Sequence, residues 1–293
     1  MSARATLAVI GGSGFYEIDG VSDIERADVA TPYGSPSDTI VIGTLAGQRT
    51  AFLPRHGVGH RILPGELPQR ANIWALASLG VERILSVSAV GSLKEDRAPG
   101  DVVVPDQLID RTNGARSATF FGDGIVAHIA FDTPFCPSLS AALRAQASAY
   151  GVTAHAGGTM IVIEGPAFST RAESLLYRSW GADIIGMTAL PEAKLAREAG
   201  ICYATLACVT DYDTWHPTHG AVTAEMIIRV LLANVANARG IVASTASALP
   251  SRDACGCAHA LDTAIITRLD DVAPERLRDL APILARRGQA VAP

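Results

Sequence analysis

The chain is poor in charge, aromatic side chains and sulfur. Of its 293 residues 18% are charged and 5% aromatic, and there are five cysteines. A net charge of −5 provides no basic footprint, which excludes nucleic acid or an anionic membrane as the natural partner. Five scattered cysteines do not build a secreted disulfide scaffold. No apolar run approaches the roughly 20 residues of a membrane span. The apolar stretch Thr6–Ile10 stops at Gly11-Gly12, too short for a signal sequence and without a cleavage site, so a soluble, cytoplasmic protein is expected. Two nucleotide motifs are also missing. After Gly11-Gly12-Ser13-Gly14 come Phe15-Tyr16-Glu17 rather than the third glycine of a dinucleotide loop, and no Gly-Lys-Ser/Thr marks a Walker loop.

Apolar residues make up 48% of the chain, enough for one large domain or for a domain with an appendage. Strand-like runs are Thr6–Ile10, the pair 39–41 and 50–53 around the turn Ala46-Gly47, 84–90, 101–104, 159–163, 183–187 and 201–209. Helical spacing covers 71–79, 139–150, 172–180, 191–199 and 224–237, with Gly80 and Gly151 standing where helices stop. This alternation predicts an α/β fold with a largely parallel sheet and helices on both faces. The composition changes near Ala248, so residues 1–248 read as the domain and 249–293 as an extension packed on it or on a neighbouring subunit. In that extension Cys255-Gly256-Cys257 is too closely spaced for the usual zinc knuckle, although His259 is near. With no second pair at matching distance, two ordinary thiols are the expectation, ahead of a redox-active pair or a metal site.

The run 201–209 ends at Thr210-Asp211-Tyr212-Asp213. If the backbone stays extended, Asp211 and Asp213 face the same way at the carboxyl end of a buried strand, where open α/β sheets bind ligands. Such a pair repels phosphate but suits a basic heterocycle, proton donation or metal chelation. Other candidates fall at predicted strand ends. Ser13 and its glycine loop suit an oxyanion cradle. Arg55, His56 and His60 follow a strand, and Arg grips phosphate bidentately. Ser88 lies among small residues that serve ligand approach or helix packing equally. Phe168 suits stacking on a flat ring or plugging a core, and Thr188 follows Met187, a side chain usually found as core filler. Together they describe one cleft with an anion end and a ring end.

Several ordered segments resemble the 5'-methylthioadenosine phosphorylase branch of the purine nucleoside phosphorylases. They are 11–14, 31–38, 55–57, 71–76, 163–173, 186–188 and 210–213, within a match of about residues 6–240. The resemblance implies a single-domain α/β sandwich around a mixed, partly barrel-like sheet, assembled as a homotrimer or dimer of trimers. It implies a nucleoside and inorganic phosphate as co-substrates, with no metal or other cofactor. By motif, Ser13, Arg55, His56, Ser88, Ala89 and Thr188 would bind phosphate, and Met187 would lie under the ribose. Phe168 would stack near the base, and Asp211 and Asp213 would bind the purine. Ser169 and Ala224 match positions that influence substrate choice. His60 joins the substrate set, and His128 resembles a residue contributed by a neighbouring subunit near the 5' end. Pro68-Gln69 departs from the family's usual Asn-Tyr or Pro-Tyr.

The reaction so implied is phosphorolysis of the N-glycosidic bond, with Asp211 protonating or hydrogen-bonding purine N7. A carboxylate accepts from a 6-amino group, which favours adenine over 6-oxopurines. Alternatives are phosphorolysis of 6-oxopurine nucleosides or 5'-methylthioinosine, a water-using nucleosidase, a silent nucleoside-binding protein, and a metal enzyme built from the acid pair with His216 and His219.

Overall fold

A computed structural model describes residues 4–12, 20–217 and 223–285. Strands are β1 (Leu7–Gly11), β2 (Val21–Ala27), β3 (Ile40–Leu45), β4 (Gln48–Pro54), β5 (Arg83–Ser92), β6 (Val102–Val104), β7 (Gln107–Arg111), β8 (Ala154–Ala156), β9 (Thr159–Ile163), β10 (Ile184–Gly186) and β11 (Cys202–Asp211). Helices are α1 (Gln69–Ser78), α2 (Pro137–Ala149), α3 (Arg171–Ser179), α4 (Ala189–Glu198), α5 (Ala224–Ser247), α6 (Pro274–Asp279) and α7 (Ala281–Leu284).

The strands form one mixed sheet in the order β2-β3-β4-β1-β5-β10-β9-β7, and β11 pairs with β5 and with β6, which in turn pairs with β8. Period-two alternation makes the sheet two-sided. Along β1, Ala8 and Ile10 enter one core and Leu7 and Val9 the other; along β11, Tyr203, Ala207 and Val209 oppose Cys202, Ala204, Leu206 and Cys208. The first core takes Ile73 and Leu76 of α1 and Leu195 of α4, and the second takes Leu139 and Leu143 of α2 and Ile241 and Val242 of α5. Both faces are therefore covered. Every residue of β11 is buried, as its unbroken apolar run predicts.

The expectation of a largely parallel sheet needs correcting: β3 meets β2 and β4 antiparallel, β10 meets β5 antiparallel, and β11 meets β6 antiparallel. The turn at Ala46-Gly47, both at positive φ, makes the β3–β4 pair a tight hairpin. At the centre, β1, β4, β5 and β11 run parallel, so Gly11, Pro54, the end of β5 and Asp211 emerge on one side. Strand β5 is long enough to pair with β1 along its first half and with β10 at Gly91 and Ser92. That fork brings the ends of β9 and β10 to the same region.

The tail packs back on the domain. Trp74 Nε1 donates to Asp279 O at 2.7 Å, Arg276 Nη2 to Phe120 O at 2.6 Å, and Arg252 Nη2 to Gly200 O at 2.8 Å. It also brings Cys255 and Cys257, both free thiols, against two further cysteines. They meet Cys136, just before α2, and Cys202, at the start of β11. Those partners are 53 or more positions away, beyond any local spacing rule.

Candidate active site

The strand ends enclose a cavity of about 460 Å³, ample for a nucleoside. Its wall includes Arg55, His56, His60, Ser88, Ala89, Phe168, Ser169, Met187, Thr188, Asp211 and Asp213. Eleven residues singled out in the sequence therefore share one space. Ser13 lies outside the described residues. Ala224 opens α5, but its side chain lies outside them too. His128 is exposed and off this wall, with its N–H given to Ala264 O at 2.9 Å.

The acid pair is shaped by irregular backbone rather than simple strand alternation. A register shift lies between Val209 and Asp211, and Asp213 has φ +50°. The bend lets Asp213 N–H donate to Asp211 Oδ1 at 2.8 Å. Thr210 Oγ1 lies 2.8 Å from Asp211 Oδ2 and 3.2 Å from Val90 O, two acceptors for one hydroxyl proton. Asp213 Oδ2 is buried and has no hydrogen-bond partner among the described residues. Burial pushes both carboxyls above the usual carboxylate range, at Asp211 outweighing the bonds from the Thr210 hydroxyl and the Asp213 N–H. Gly91 of β5 admits this arrangement. A Cβ there would stand 2.9 Å from Asp211 Oδ1 and 3.0 Å from Ile185 Cγ2.

At the other end, Ser88 Oγ and Thr188 Oγ1 are 3.5 Å apart and both line the cavity. Gln69 Nε2 donates to Thr188 O at 3.2 Å, so the departure Pro68-Gln69 reaches the site through Thr188. Arg55 is buried and held in a fork with Glu192, Nε to Oε2 at 2.9 Å and Nη2 to Oε1 at 3.1 Å. It also donates to Val87 O and Ser86 Oγ. The bidentate grip expected for phosphate is thus directed at a protein carboxylate. His56 stacks on His60 at 4.3 Å, and its Nδ1 lies 2.8 Å from Ile62 O. Burial pulls its pKa down to about 4, so the ring is neutral at pH 7. Facing a carbonyl, Nδ1 carries the proton and Nε2 is an acceptor. A neutral His56 ring can take part at the cavity wall through Nε2.

Two groups were invisible to motif reading, Glu192 and Arg116. Glu192 sits in an ordinary helical pattern, and only the fold shows it fully buried against Arg55. Arg116, from a loop without periodicity, donates to Met187 O, Leu190 O and Glu164. Gly165, at φ +69°, leaves room for Met187, whose Sδ a Cβ would meet at 2.5 Å. His216 pairs with Glu95 at 3.1 Å rather than with the acid pair, while His219 lies outside the described residues.

Residues 6–247 match the family model described as "Phosphorylase superfamily". A protein of Koribacter versatilis named S-methyl-5'-thioadenosine phosphorylase is 56% identical over 92% of this chain and 92% of its own length. A solved methylthioadenosine phosphorylase from an antarctic soil metagenomic library is 48% identical, with TM-score 0.90 over 96% of this chain and 99% of that one. A Schistosoma mansoni methylthioadenosine phosphorylase, solved with adenine, is 34% identical, with TM-score 0.78 over 97% and 99%. The chain belongs to the phosphorylase superfamily.

Proposed function

We propose that the chain cleaves the N-glycosidic bond of 5'-methylthioadenosine with inorganic phosphate, giving adenine and 5-methylthio-α-ribose 1-phosphate. The observation that carries this reading is a single cavity lined by two buried carboxyls, each pushed above the usual carboxylate range by burial, and by the hydroxyls of Ser88 and Thr188. The relatives' shared name supports the substrate.

Bond breaking leaves positive charge on the ribose and negative charge on the departing purine, so both ends need a partner. Phosphate beneath C1', bound by Ser88, Thr188 and the Ala89 backbone with Arg55 behind, is nucleophile and counter-charge. When Asp211 is protonated, the Thr210 hydroxyl turns to Val90 O and leaves the Asp211 Oδ2–H for purine N7. The unpartnered Asp213 Oδ2 then accepts from a 6-amino group. Phe168, 40% exposed, closes over the ring from the cavity mouth. Met187 lies under the sugar, Ser169 and Ala224 bear on substrate choice, and Leu63 and Pro64 beside His60 suit a thioether better than a hydroxyl.

The assembly that fits is a homotrimer or dimer of trimers in the cytoplasm, with exposed His128 reaching a neighbour's 5' end. Phosphate is the sole co-reactant in this scheme. Steady-state turnover of 5'-methylthioadenosine against inosine tests the substrate: the account expects a strong preference for the former, and faster inosine phosphorolysis would defeat it.

A further inference from the structure

The sulfurs of Cys136, Cys202, Cys255 and Cys257 all lie within 4.8 Å of one another, with Cys202 and Cys255 at 3.4 Å. All four are free thiols. Zinc bound by four thiolates at about 2.3 Å sets its sulfurs about 3.8 Å apart, inside this range. A disulfide would need about 2.05 Å. We propose that these four cysteines form a structural tetrathiolate site for a divalent soft metal, zinc by its chemistry. The fifth cysteine, Cys208, is buried further along β11 and takes no part.

The surroundings favour thiolates. Cys136 stands at the N-cap of α2 with no side-chain cap, where the helix dipole stabilises negative charge. Arg252 Nη1 lies 3.4 Å from Cys202 Sγ, and Ser138 Oγ lies 3.3 Å from Cys136 Sγ. Arg252 is itself fixed by Glu82 O at 2.6 Å and Gly200 O at 2.8 Å. It serves as an outer partner that offsets the anionic cluster. On binding, four S–H bonds break, four S–metal bonds form, and four protons leave to solvent; no electron is transferred.

The site would staple the tail to the strand that carries the acid pair. Cys202 and Asp211 are opposite ends of β11, about 30 Å apart at about 3.3 Å per residue. The metal is therefore remote from the chemistry, and its loss should lower stability while sparing the reaction.

The test is elemental analysis of protein purified under reducing conditions from zinc-supplemented culture, alongside cobalt exchange and thiol titration. About one zinc per chain is expected. Cobalt should give the intense tetrahedral d–d and sulfur-to-metal charge-transfer bands of thiolate ligation. Cys257→Ser and Cys255→Ser should lose the metal, and Cys208→Ser should keep it. Stripping the wild type should lower its thermal midpoint and leave kcat/KM at 25 °C within about twofold. Metal well below one per chain with all five thiols titratable on denaturation overturns the proposal, as does a shortfall of two or four thiols, the mark of disulfides. Metal retained by Cys257→Ser overturns it as well. If that variant does not fold, the wild-type cobalt spectrum decides, and absence of thiolate bands is the contrary result.

Discussion

Replacing Glu192 by Gln isolates the group that holds Arg55 in place. Both side chains are at most 2% exposed, and the pair is bidentate, with Tyr203 O–H adding a third bond to Glu192 Oε1 at 2.8 Å. Gln keeps the shape but removes the charge, and its amide turns a donor toward Arg55 or Tyr203. Breaking a buried pair from one side costs about 3–5 kcal/mol, because the remaining charge is left uncompensated. At roughly 2–4 °C per kcal/mol for a large domain, the thermal midpoint should fall by about 6–20 °C. The same uncompensated guanidinium should attract phosphate more strongly. Phosphate should therefore recover more of the midpoint in the variant than in the wild type, since a ligand stabilises by RT ln(1 + [L]/Kd). Scanning calorimetry across a phosphate series measures both effects, with the KM for phosphate read in parallel. An unchanged midpoint, or equal phosphate shifts in the two proteins, would refute the view that Glu192 balances a phosphate-site arginine.

Gly91→Ala should lower kcat/KM by about 100-fold, because its Cβ would displace Asp211, and ångström-scale misplacement costs about that much; near-normal turnover contradicts it. Asp211→Asn should lower kcat by about 10²–10⁴, the usual range for losing a general acid, and flatten the alkaline fall in rate. Asp213→Asn should instead raise the rate on inosine relative to 5'-methylthioadenosine, since an amide donates to a 6-oxo group; unchanged selectivity counts against that role. Burial pushes Glu198 up to about 7 although Thr119 O–H and Phe120 N–H donate to it. The native state then holds a proton the unfolded chain has lost, so stability falls as pH rises from about 4.5 to about 7, by at most about 3 kcal/mol. Urea midpoints across that window should show the slope, and Glu198→Gln should reduce it.

What could be read from sequence follows from where the physics is local. The run 201–209 showed β11 because both faces of that strand are buried, and Gly80 and Gly151 showed where α1 and α2 stop because each takes positive φ. β2 and β7 carry no strand signal in the sequence: both are edge strands, largely exposed, so neither shows a strong apolar pattern. β8, with three residues, is too short for one. The cavity was legible because its ligands cluster at strand ends, where Arg55, Thr188 and Asp211 stand in recognisable local patterns. Their partners were not. Glu192 meets Arg55 across 137 positions, and Gln69 meets Thr188 across 119. Likewise, the bend that turns Asp213 back onto Asp211 comes from a register shift that period-two reasoning does not contain.

The most direct measurement follows adenine release from 5'-methylthioadenosine in phosphate and in phosphate-free buffer, with the sugar product identified by phosphorus NMR. Phosphorolysis predicts one phosphate consumed per adenine, 5-methylthio-α-ribose 1-phosphate as the sugar, and release falling to background without phosphate. Equal rates in the two buffers, with free 5-methylthioribose as product, would contradict it.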